Sequence, residues 1–201
     1  EKTTQEKLPY AIPNAERLYT EKVGGITSVM FELTYRCSEK CIHCYNEGAT
    51  RNDEEVSTRG DREELTLDEY KHLIDDLYEQ GLVKVCLTGG DPFSKSFAWD
   101  LIDYLYNKGI AFDVFTNGQR IVNDVERLAN YYPRLVGVSI YSGISEVHDY
   151  ITRIKGSWER SLSVVRQLSA FGVPMNLKCC VMRPNVKSYY MVADIAKQYG
   201  A

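Results

Sequence analysis

Three cysteines fall within eight residues, Cys37-Ser-Glu-Lys-Cys41-Ile-His-Cys44, directly after an apolar run of strand length. Thiolates select zinc or iron–sulfur clusters. A structural zinc site wants four protein ligands. His43 can be proposed as the fourth, but it is adjacent to Cys44, and neighbouring residues rarely converge on one tetrahedral ion. A [4Fe–4S] cluster held by three thiolates leaves one iron with an open position, which is what a reactive site needs. Cys86, Cys179 and Cys180 lie in apolar runs and read as reduced, buried small hydrophobes. Cys179 and Cys180 are expected on opposite sides of their strand, so at most one of them faces an interior. Nothing in the sequence supplies the secreted context of a disulfide framework, and a reducing compartment, the cytoplasm, is expected.

Further polar residues stand at the ends of later apolar runs. Leu87-Thr-Gly-Gly-Asp-Pro92 carries Gly89 and Gly90, which lack side chains and allow close approach of a ligand to the backbone. Asp91 beside them can accept a charge-assisted hydrogen bond from an ammonium. Phe115-Thr-Asn-Gly118 ends another run, with Asn117 in it, and Ser139 ends a fourth. Lys178 sits between apolar neighbours in a fifth, where a lysine points either into a polar lumen or out between helices. Tyr45 follows the last cysteine. His72 and His148 have no partner pattern and read as surface or helix-packing residues.

The elements that must position these residues alternate. Strand-length runs cover 28–35, 83–89, 110–118, 135–141 and 175–182. Between them, Tyr70, Leu73, Ile74, Leu77 and Tyr78 trace one apolar helical face, with Thr66 and Glu69 as a capping box and Gly81 as the stop. Further helices are expected near 98–108, 123–132, 157–171 and 188–199, with a loop of 142–156 before the fourth of these five. Five βα units in succession mean a parallel sheet wound right-handed. An open doubly wound sheet and a partial or complete βα barrel both satisfy that pattern. In either, the loops at the carboxyl ends of the strands carry the chemistry. Residues 1–27 read as a segment packing on the core 28–201, and the charged stretch 46–64 as a solvated loop.

The 201 residues suit one domain, and 44% hydrophobic with 26% charged residues excludes a disordered chain. A net charge of −4, from 24 basic and 28 acidic side chains, argues against a broad basic surface for nucleic acid. No apolar stretch approaches the roughly 20 residues of a membrane span.

Taken together, CxxxCxxC after the first strand, GGDP on the second and TNG on the third resemble the radical S-adenosylmethionine (SAM) superfamily. That resemblance covers the chain from about Ser28 to Ala201. It implies a partial (β/α) barrel in which Cys37, Cys41 and Cys44 hold a [4Fe–4S] cluster and SAM occupies the fourth iron. One electron then breaks the sulfonium bond, and a 5′-deoxyadenosyl radical abstracts a hydrogen atom from substrate. It further implies cofactor contacts from Tyr45 near the adenine, and from Gly89, Gly90 and Asp91 at the methionyl amino group. Asn117, Ser139 and Lys178 are implied at the ribose, the carboxylate or the substrate, and Arg153 is a weaker candidate. Asp91 stands where the family usually has Glu. The stretch from Ser139 to Asn185 is similar to enzymes with a SPASM or twitch extension, which mature peptides and proteins, though Arg153 stands where their TGxxGSF pattern has Gly. A peptide or protein substrate and a one-electron donor such as flavodoxin or ferredoxin follow from this. A small-molecule substrate in cofactor biosynthesis, or a non-catalytic zinc or iron–sulfur module, are the competing readings. The family core has six βα units, so the resemblance places a sixth strand, and any auxiliary-cluster domain, beyond residue 201.

Overall fold

The computed structural model describes residues 25–46 and 64–201. The segment expected to pack on the core through residue 24, and most of the charged stretch before residue 64, lie outside the described residues.

The expected βα alternation is present. Strands β1 (Ser28–Glu32), β2 (Lys84–Thr88), β3 (Ala111–Thr116), β4 (Leu135–Ser139) and β5 (Met175–Lys178) form one parallel sheet in the order β1-β2-β3-β4-β5. A doubly wound sheet reverses its strand order partway and carries helices on both faces. Here the order never reverses, so right-handed crossovers lay every helix on one face and leave the other as a lumen. That is the partial-barrel arrangement.

The helices are α1 (Leu67–Glu79), α2 (Ala98–Asn107), α3 (Val125–Ala129), α4 (Ser145–Thr152), α5 (Ser157–Ala170) and α6 (Met191–Tyr199). α1 starts with the expected capping box: Glu69 N–H donates to Thr66 Oγ1 at 3.3 Å and Thr66 N–H to Glu69 Oε2 at 2.8 Å. Strand alternation sorts the two faces. Val85, Leu87, Phe112, Val114, Val136 and Val138 are buried under Ile74, Leu101, Ile102, Leu105, Leu128, Val165 and Leu168. Each such side chain contributes roughly 1.5–3 kcal/mol by leaving water. Their neighbours of opposite parity, Cys86, Asp113, Phe115, Gly137, Ser139, Asn176 and Lys178, belong to the lumen face, which is polar. Among the described residues no helix is long and apolar enough to cross a membrane.

Two expectations need correction. The loop expected over 142–156 contains α4, whose buried residues are His148, Ile151 and Thr152. The strands also end earlier than their apolar runs, β5 by four residues, because the chain peels away from the ladder where it builds the site.

Candidate functional site

The cysteine loop leaves β1 and is held from two sides. Toward β2, Leu33 N–H donates to Thr88 O at 2.9 Å, Gly90 N–H to Thr34 O at 2.6 Å and Asp91 N–H to Arg36 O at 2.9 Å. A Cβ on Gly89 would meet Thr34 O at 2.6 Å, and one on Gly90 would meet Arg36 O at 2.3 Å. The close approach that these glycines permit is therefore made by the chain's own backbone at 33–36. Toward α4, Lys40 N–H donates to Thr152 O at 3.0 Å and Ile42 N–H to Ile151 O at 2.9 Å.

Asp91 is fully buried, and its carboxylate ties three elements together. Oδ1 accepts Phe93 N–H at 3.0 Å, capping the 3₁₀ turn Pro92–Ser94. Oδ2 accepts Thr116 Oγ1–H at 2.6 Å and Asn117 N–H at 3.0 Å from the end of β3. Burial holds its pKa above the usual carboxylate value against those hydrogen bonds. The expectation that this side chain meets a cofactor ammonium is thus corrected: it has no exposed face to offer a ligand, and its three partners are internal. At this motif only backbone atoms remain for such a contact.

Asn117, at the end of β3, turns its Nδ2 to Cys37 Sγ at 3.2 Å. Glu39 N–H approaches the same sulfur at 3.4 Å. Cys41 Sγ lies 3.5 Å from Glu39 Oε2, and the other oxygen of that buried carboxyl has no hydrogen-bond partner. Burial pushes the Cys37 thiol up to about 12 and raises Cys41 as well. It also raises Glu39 to about 8. A thiolate here therefore needs a cation to displace its proton. No three His, Cys, Asp or Glu side chains among the described residues are grouped to hold a single metal ion. The donor set, three soft thiols with two N–H groups aimed at one sulfur, fits an iron–sulfur cluster, whose sulfurs take such hydrogen bonds.

Ser139 and Lys178 face each other across the β4–β5 ladder. They share an open cavity of about 390 Å³ with His43, Tyr141, Cys179 and Cys180. The Lys178 ammonium lies 3.5 Å over the Phe115 ring, on the lumen side, as expected of a lysine in a polar lumen. Tyr45, expected near the adenine, is 80% exposed and donates its hydroxyl to Glu32 Oε1 at 2.9 Å. Arg153 is exposed at the carboxyl end of α4.

Cys86 is buried as expected, but Cys179 is half-buried and Cys180 exposed. Both line the cavity, because β5 ends at Lys178 and strand alternation no longer separates them. His148 is fully buried on α4 and stacked behind Tyr141, the helix-packing alternative of its two expected settings. Sequence reasoning gave no site role to Glu39, Thr116 or Tyr141. Thr116 stands inside the TNG turn and Tyr141 two residues past Ser139, and those positions were the available signals.

The antilisterial bacteriocin subtilosin biosynthesis protein AlbA of Bacillus subtilis is 30% identical over 173 residues, 85% of this chain and 37% of its own length. An AdoMet-dependent heme synthase of Methanosarcina barkeri is 28% identical over 192 residues, 95% of this chain and 50% of that protein. Crystal structures of Streptococcus suis SuiB, bound to SAM or to its precursor peptide SuiA, superpose with a TM-score of 0.71 at 16% identity. They cover 93% of this chain and 43% or 41% of theirs, which shows a shared fold. The chain thus spans about half or less of the length of these relatives. The pattern of the Radical SAM superfamily, whose cofactors are a [4Fe–4S] cluster and SAM, matches residues 31–188, and the chain belongs to that superfamily.

Proposed function

We propose that this chain is the cofactor-holding core of an enzyme that reductively cleaves SAM and abstracts a hydrogen atom from a peptide or protein. One observation carries the reading: the three-thiol loop, the GGDP turn and the TNG turn join at the carboxyl ends of β1, β2 and β3 through the Asp91 and Asn117 hydrogen bonds, beside a cavity. Cys37, Cys41 and Cys44 hold the cluster. When bound, the cluster and SAM supply one-electron cleavage of the sulfonium bond and hydrogen-atom abstraction.

The rest of the work belongs to the protein. Backbone groups of Gly89 and Gly90 border the methionyl amino group, while Ser139 and Lys178 offer a hydroxyl and an ammonium to a carboxylate in the cavity. Tyr45, exposed beside Cys44 and tied through its hydroxyl to Glu32, presents its ring to an adenine. The polar lumen face of β4 and β5 borders the substrate. A one-electron donor of the flavodoxin or ferredoxin kind, and a cytoplasmic setting, complete the proposal.

A bacteriocin-biosynthesis relative and a neighbour crystallised with its precursor peptide support a peptide substrate of the kind SPASM-type maturases take. The heme-synthase relative, matching 95% of the chain, favours a small-molecule substrate as the second reading.

Anaerobic reconstitution with iron and sulfide tests the core. The expected product is a brown protein with about four irons per chain that releases 5′-deoxyadenosine from SAM on reduction. Replacing Cys37, Cys41 or Cys44 by Ala should abolish both, and replacing Cys86, Cys179 or Cys180 should leave iron nearly intact. A triple mutant of the first set that keeps iron and cleavage would overturn the assignment. Transfer of deuterium into 5′-deoxyadenosine from a labelled precursor peptide, and not from a tetrapyrrole, separates the two substrate readings.

A further inference from the structure

Asn117 is held at every polar atom. Its backbone N–H donates to Asp91 Oδ2 at 3.0 Å, and its carbonyl accepts from Ser161 Oγ at 2.7 Å and Gln119 Nε2 at 3.3 Å. The side-chain Oδ1 accepts Gln119 N–H at 3.0 Å. A backbone N–H needs an acceptor, so this contact fixes which end of the amide is oxygen. The remaining end is Nδ2, a donor, and it lies 3.2 Å from Cys37 Sγ. Gln119 is anchored in turn, donating from Nε2 to Ser161 Oγ at 2.9 Å and Ser157 O at 3.1 Å on α5. An amide clamped at both of its heavy atoms, on a buried side chain, cannot swing away to follow a mobile ligand.

We infer that Asn117 sets the reduction potential of the cluster by donating an N–H···S hydrogen bond to Cys37, with Asp91 and Gln119 as its positioning residues. This rests on the reading that Cys37 is a cluster ligand. Reduction adds negative charge to a centre that already bears thiolates, and a donor on a ligand sulfur stabilises the added electron. Hydrogen bonds to the sulfurs are among the levers that set such potentials. A donor aimed at a ligand sulfur strengthens as charge accumulates there. The role assigns work to a side chain that the resemblance placed at the ribose or carboxylate of SAM. It also explains why Asp91 is sealed away from ligands: its carboxylate orients the backbone from which the Asn117 amide projects.

Asn117→Asp is the discriminating variant. It keeps the Oδ1 that accepts Gln119 N–H and replaces only the donor, by an acceptor. Asn117→Ala removes both ends. The test is an EPR-monitored redox titration of reconstituted protein without SAM, with iron and sulfide measured in each preparation. Both variants should retain iron, and their midpoint potentials should fall in the order wild type, Ala, Asp. At a fixed applied potential, the ratio of reduced to oxidised cluster should drop about tenfold in Asn117→Asp, about 59 mV for a one-electron couple. Equal potentials in wild type and Asn117→Asp, both fully loaded, would overturn the inference and leave the cluster assignment intact. Loss of iron from both variants would make Asn117 a support of the cysteine loop and overturn it as well. Wild type that takes up no iron would instead defeat the cluster reading on which it rests.

Discussion

The imidazole of His148 lies stacked against the Tyr141 ring, centroids 5.5 Å apart, and its Nδ1 accepts the Tyr141 backbone N–H at 3.1 Å. That acceptor role places the ring proton on Nε2, which is buried without a partner. Tyr141 in turn meets the edge of His43 at 4.8 Å on the cavity side. A neutral histidine thus fixes the backbone of a cavity-lining tyrosine from behind.

The first prediction follows from this burial, which lowers the His148 pKa to about 4 while the adjacent Asp149 carboxylate pulls the other way. The ring packed against it is that of Tyr141, which also meets His43. The unfolded chain binds the extra proton first, near pH 6.5. Stability is therefore full above that value and is lost as pH falls toward 4, by up to ~3 kcal/mol. Buried Glu39 and Asp91, whose pKa values are raised, add stability as pH falls over the same range, so the His148 contribution is read as a difference: the urea midpoint of the cluster-free chain, relative to that of His148→Gln, which keeps an acceptor, should fall from pH 7 to pH 5. His43, which burial also lowers, and the two carboxylates are common to both proteins and cancel in that difference. An unchanged slope in His148→Gln would refute the assignment.

A second prediction concerns Gly90→Ala. The added methyl would meet Arg36 O at 2.3 Å, backbone that cannot rotate away. The loop that carries Cys37 must shift, so the soluble protein should bind less than half the iron of wild type after reconstitution. Full iron loading would show that the contact between the two turns does not set the cysteine geometry.

How much of this was legible in the sequence depended on whether the relevant contact was local. The strands could be read because 83–88 and 135–141 are short, nearly continuous apolar runs between helical segments, as parallel strands are. The Thr66–Glu69 capping box spans three residues and was readable as a local contact. α4 was not, because its buried face includes His148 and Thr152, and a helix that buries polar groups does not display an apolar period. The Thr116 and Asn117 partners of Asp91 were unreadable for another reason. They lie 25 and 26 positions along the chain and meet Asp91 only once β2 and β3 are in register. Without that register, Asp91 looked like an available carboxylate when it is a sealed one.

A third prediction uses Gly137, opposite Asn176 in the β4–β5 ladder. A Cβ there would meet Lys178 Cε at 2.5 Å and Phe115 Cδ1 at 2.8 Å. Lys178 is flexible, so Gly137→Ala should fold but displace the ammonium from its place over Phe115. If Lys178 holds the SAM carboxylate, Gly137→Ala and Lys178→Met should both weaken SAM binding by at least about tenfold with iron intact, the scale of a lost charged hydrogen bond. Unchanged SAM titration in Lys178→Met would return the lysine to the substrate or to the Phe115 contact alone.

The last prediction concerns Arg153, which follows α4 with φ +58°, in the left-handed region. The flanking turn cannot relax it. Thr152 O accepts Lys40 N–H, while the Asp149 carboxylate accepts Gly156 N–H, Ser157 Oγ–H at 2.9 Å and Trp158 N–H at 2.9 Å. Those contacts bind the end of α4 to the start of α5 and hold residue 153 where a Cβ is unfavourable, at a cost of about 1 kcal/mol. The Gly expected there in the TGxxGSF pattern meets that backbone without strain, so the departure in sequence carries a structural penalty and no change of path. Arg153→Gly should therefore stabilise the chain by about 0.5 kcal/mol once the entropy that glycine adds to the unfolded state is subtracted, raising Tm by roughly 1–2 °C for a chain of this size. Iron loading should not change, since the Arg153 side chain is exposed and the loop is held through Thr152. A lower urea midpoint in Arg153→Gly would mean that the arginine side chain contributes more than its backbone costs.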